Sequence, residues 1–83
     1  MDKKVLVERV DHYIVTFTIE GNYVAVQVHD TRSGETLEGT AHFIEDPRKL
    51  EEDTGMRKRF AKTAVEILEF FKELHSLIET KSR

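Results

Sequence analysis

The eight residues Tyr13 to Glu20 alternate without a break, and this alternation limits the fold more than any other feature of the chain. Tyr13, Val15, Phe17 and Ile19 fall on one face, while Ile14, Thr16, Thr18 and Glu20 fall on the other, as a half-buried strand requires. Gly21-Asn22 supplies a two-residue turn, after which Val24, Val26 and Val28 repeat the pattern. A hairpin through that turn sets Ile19 beside Val24, Phe17 beside Val26 and Val15 beside Val28, so three apolar cross-strand pairs share one face. Sliding the register by one residue would oppose the valines to the threonine face, so the pattern specifies the pairing.

The flanking segments extend this hairpin. Val5 to Val10 reads as a first strand, turning through Asp11-His12. The stretch Asp30 to Glu35 contains Ser33 and Gly34 and makes the next turn, leading into a strand over Thr36 to Ile44. That strand carries Leu37, Gly39 and Ala41 opposite Val28, Val26 and Val24, and its two small residues predict a close helix approach or a bulge. Asp46-Pro47 suits a helix start, with a short helical turn expected to end near Asp53. Gly55 marks a break before a longer helix over residues 56–80, which lack Gly and Pro.

Phe60, Ala64, Ile67, Phe71, Leu74 and Ile78 step along this helix by four and three in alternation, the spacing of a single seam. The expected fold is α+β, an antiparallel meander of three or four strands packed on one long C-terminal helix, with the sheet face meeting that seam. It forms a single domain over residues 1–83, comprising a meander to 44, a linker with a short helical turn over 45–55, and the helix. The order of strands followed by one helix is similar in architecture to the repeat of Pur-type and Whirly-type single-stranded nucleic-acid binders. No motif of those families occurs, and element order alone brings no function with it.

The helix outgrows the sheet. About 24 residues span about 36 Å, against about 25 Å for strands of this length, so the last turns overhang. Phe70, Leu74, Leu77 and Ile78 lie there and would form an apolar surface suited to self-association or to a protein partner. The expected function is that of a small non-enzymatic interaction or regulatory protein, homodimeric through the helix and binding a macromolecule.

Charge offers a second reading. The formal net charge is -3, but residues 1–55 hold six Lys/Arg against twelve Asp/Glu, while residues 56–83 hold seven against four. Arg57, Lys58, Arg59 and Lys62 open the helix and, with Tyr23 on the outer sheet face, suggest contact with an anion or nucleic acid. Glu51, Glu52 and Asp53 stand just upstream and can neutralise the run.

Other chemistry finds little footing. Four histidines are present, of which only His12 and His29, beside Asp11 and Asp30, could approach one another; no metal or other cofactor is expected. Ser33, Ser76 and Ser82 have no paired base, and no phosphate loop or nucleophile elbow occurs, so no enzyme is expected. Cysteine is absent, in keeping with a reducing, cytoplasmic setting. Val5 to Val7 is far shorter than the roughly 18 apolar residues of a membrane span, so neither a signal peptide nor a membrane partner is expected.

Overall fold

A computed structural model describes residues 3–42 and 46–81. Four strands, β1 (Lys3–Val10), β2 (Tyr13–Glu20), β3 (Tyr23–Asp30) and β4 (Thr36–His42), form one antiparallel sheet in sequence order. The short helix α1 (Lys49–Glu52) and the long helix α2 (Thr54–Lys81) follow. The end of the expected fourth strand, residues 43–44, and the tail containing Ser82 lie outside the described residues.

The hairpin register is the one that the alternation specifies. Val15 pairs with Val28, Phe17 with Val26 and Ile19 with Val24, and β4 continues the rows with Leu37, Gly39 and Ala41. Local chemistry sets each turn. Asp11 and Gly21 take φ of 54° and 63° in the two tight turns, and Gly34 takes 81° in the third. In that third turn Asp30 Oδ1 accepts from the backbone N–H of Arg32 at 2.8 Å and of Ser33 at 3.3 Å. The rows through Gly39 are unbroken, so no bulge accounts for this residue.

Asp46 Oδ1 accepts from the Arg48 N–H at 3.0 Å and so caps the turn that leads into α1, where fully buried Leu50 ties the connection to the core. Asp53 Oδ1 accepts from the Met56 N–H at 3.0 Å, so α2 begins at Thr54 and Gly55 sits inside its first turn. The capping carboxylate starts the helix two residues before the expected Met56, because it satisfies one of the amides that a helix N-terminus leaves open.

The core lies between the inner sheet face and one face of α2. Tyr13, Val15, Phe17, Ile19, Val24 and Val28 contribute from the sheet, Leu50 from α1, and Ala61, Val65 and Leu68 from α2. The helix lies nearest β1, crosses β2 and β3, and leaves the inner face of β4 open at Gly39. Its 28 residues span about 42 Å, and the long dimension of the molecule is 48 Å. No helix among the described residues is long and apolar enough to cross a membrane.

Candidate functional site

Of the seam expected to meet the sheet, only Ala64 packs against the core, and it is partly buried. Ala61, Val65 and Leu68 are at most 5% exposed, whereas Phe60, Ile67, Phe71, Leu74 and Ile78 lie between 37% and 58%. The buried residues follow seam residues by one position, which turns the helix by about 100° from the expected facing.

Two acids on the inner sheet face explain the turn. Glu8 and Asp30 point inward with side chains 13% and 4% exposed, and a carboxylate so placed requires a cation. Arg57 Nε donates to Glu8 Oε1 at 2.6 Å, and Lys72 Nζ donates to Asp30 Oδ2. Both cations stand on the Ala61–Leu68 side of α2, and seating them places that side on the sheet. Further contacts hold the Lys72 end. The ammonium lies 5.4 Å from the centre of the Tyr13 ring, the Tyr13 hydroxyl reaches Glu69 Oε2 at 3.5 Å, and His12 Nε2 lies 3.4 Å from Asp30 Oδ1. The Lys72 hydrogen bond holds the Asp30 carboxyl well below the usual carboxylate range, and the same bond raises the Lys72 ammonium. Burial pushes the Tyr13 phenol up.

The displaced seam now walls a groove of about 630 Å³. Phe60, Ile67 and Phe71 line the helix side, and Val26, Leu37 and Gly39 line the sheet side. Nothing lies within 4 Å of where a Gly39 side chain would begin, so the close approach predicted at this glycine is not made by the chain's own helix. Beyond the groove, Phe70, Leu74, Leu77 and Ile78 are all exposed, at 59%, 40%, 60% and 58%. Leu74 and Ile78 follow the groove residue Phe71 at helical spacing, so the apolar wall of the groove runs on into the exposed end of α2.

The basic residues are divided. The Arg57 guanidinium is occupied, since it donates to Glu8 and, through Nη1, to the carbonyl oxygens of Leu50 at 3.0 Å and Glu51 at 3.3 Å. Lys58, Arg59 and Lys62 are exposed on α2. Tyr23 belongs to the outer sheet face, away from the helix, so the structure does not bring it to the basic residues.

The histidines are also separate. His12 Nδ1 lies 3.0 Å from Asp11 Oδ2 in the first turn, while His29 Nδ1 lies 3.0 Å from Thr36 Oγ1 on the outer face. No cluster of three or more metal-binding side chains occurs among the described residues.

The inward acids and their cations escaped sequence reasoning, although a signal for Glu8 existed. It shares the parity of Leu6 and Val10, which pack against the core. Comparison with protein-family models, with curated proteins and with solved structures returns no match.

Proposed function

We propose that this protein is a small non-enzymatic interaction protein, homodimeric through α2, which acts by binding a macromolecular partner. One observation carries the reading. The helix folds against its own sheet with Ala61, Val65 and Leu68, and leaves a second, larger set of apolar side chains in solvent. Contiguous exposed apolar surface of this kind marks interaction sites in small proteins.

Light scattering on wild type and on a Phe70→Ser, Leu77→Ser double variant tests the proposal. The expected result is a dimer for wild type and a monomer for the variant, with the sheet still folded by circular dichroism. A variant mass equal to that of wild type would sink the reading.

A further inference from the structure

The groove beside α2 and the exposed end of α2 fit one another. We infer that each is filled by a second copy of this chain, the two α2 helices lying antiparallel so that residues 70–78 of one copy rest in the groove of the other. This rests on the reading of α2 as an interface and adds its occupant and geometry.

The spacing of the seam supports a two-fold pair. Written as a heptad, Phe60, Ala64, Ile67, Phe71, Leu74 and Ile78 occupy alternating d and a positions, and Thr63, Phe70 and Leu77 occupy g. Every large apolar residue exposed on α2 falls in one of these three positions, while the e positions Ala61 and Leu68 are spent on the sheet. The sequence of steps is the same read from either end. An antiparallel copy therefore sets Phe60 against Ile78, Ala64 against Leu74 and Ile67 against Phe71, about an axis level with Glu69.

Charge selects the antiparallel direction. With Arg57 committed to Glu8 and Lys72 to Asp30, residues 56–65 of α2 keep Lys58, Arg59 and Lys62, while residues 66–78 keep Glu66, Glu69 and Glu73. These charges occupy b, c and f, off the seam, and so act over distance: antiparallel helices bring the basic half alongside the acidic half and oppose their dipoles favourably, whereas parallel helices set like beside like.

Shape agrees. The sheet packs on residues 57–72 of α2, where Ala61, Val65 and Leu68 are buried, and residues 73–78 are exposed throughout. In an antiparallel pair the two sheets are displaced to either side of the axis, and the projecting turns of each copy pass over the open half of the other sheet. Gly39, which has no atom within 4 Å of where a side chain would begin in the single chain, then lies beneath the partner's helix, where a missing side chain permits close approach.

Two measurements on the full chain test this placement. Gly39→Val adds a side chain into space that is empty in the monomer, so the monomer should melt no lower than wild type. The dissociation constant of the dimer should rise about tenfold or more, because the added methyl groups occupy the partner's place. In the second, Thr63→Cys chains are mixed with Leu77→Cys chains in a thiol redox buffer. Because the chain has no native cysteine, the disulfides are unambiguous, and the mixed species should outnumber both homodimeric ones. A dimer indifferent to Gly39→Val that yields only homodimeric disulfides would overturn the antiparallel placement while keeping α2 as an interface. A wild-type monomer at every concentration would overturn the interface as well.

Discussion

Lys72 Nζ donates to the Asp30 carboxylate, joining the C-terminal half of α2 to the last residue of β3, a residue only 3% exposed. The same carboxylate receives two backbone amides of the following turn, so one side chain organises both the loop and the seating of the helix.

The pH dependence of stability should report this pair. The Asp30 carboxyl is held below its unfolded value, so its contribution is complete above the ordinary carboxylate range and fades as pH falls through the folded value. Lys72 is raised, so its contribution holds below the ordinary lysine range and fades only as pH climbs past it. Asp30→Asn should therefore lower the melting temperature at neutral pH by several degrees, and the gap to wild type should narrow in strong acid. Thermal melts from pH 2 to pH 7 will show whether the two curves converge.

Arg57 should behave as a structural residue. Arg57→Ala leaves Glu8 without its cation and two carbonyl oxygens without a donor, at a cost of about 2 kcal/mol of stability. Lys58→Ala, Arg59→Ala and Lys62→Ala should each stay within about 0.5 kcal/mol of wild type. Urea titrations of the four variants separate these outcomes; equal effects would contradict the contacts seen at Arg57.

Two neighbouring residues test the rotation of α2. Leu68 is 4% exposed and Ile67 is 46% exposed. Leu68→Ala should cost about 3 kcal/mol through the cavity that it opens, while Ile67→Ala should cost the monomer less than about 1 kcal/mol. Denaturation at a concentration low enough to keep chains monomeric would show the reverse order if the seam faced the sheet.

Gly21 should tolerate no side chain without strain. Its φ of 63° lies in the left-handed region, where a Cβ costs about 1 to 2 kcal/mol. Gly21→Ala should destabilise the hairpin by that amount in equilibrium unfolding of the monomer, whereas Gly39→Ala, in strand conformation with open space beside it in the single chain, should be near neutral under the same conditions.

The meander could be read from the sequence because a period of two leaves little choice once one face is apolar. The register at Val15, Phe17 and Ile19 followed from that alone. The facing of α2 was not legible, because its apolar residues cover more than half of the circumference and periodicity cannot say which part meets the sheet. Polar contacts decided it, and their partners are remote in the chain: Glu8 with Arg57 and Asp30 with Lys72. The start of α2 was obscured for a different reason. Gly55 suggests an interruption, but the Asp53 cap outweighs the modest penalty of one glycine in a first turn. The overhang was visible from lengths; the groove was not, since it exists only because the seam is turned away.

The ion pairs also divide α2 mechanically. Up to Lys72 the helix is fastened to the sheet, and from Glu73 to Ile78 every residue is exposed. Two turns of helix projecting in this way are held mainly by their own hydrogen bonds, which are marginal at such lengths in water. Opening them exposes no core, so their amides should exchange with solvent far sooner than those of residues 61–68 in a single chain. The molecule thus keeps its least secure backbone beside its largest exposed apolar side chains, and whatever covers those side chains also determines whether the end of the helix stays wound.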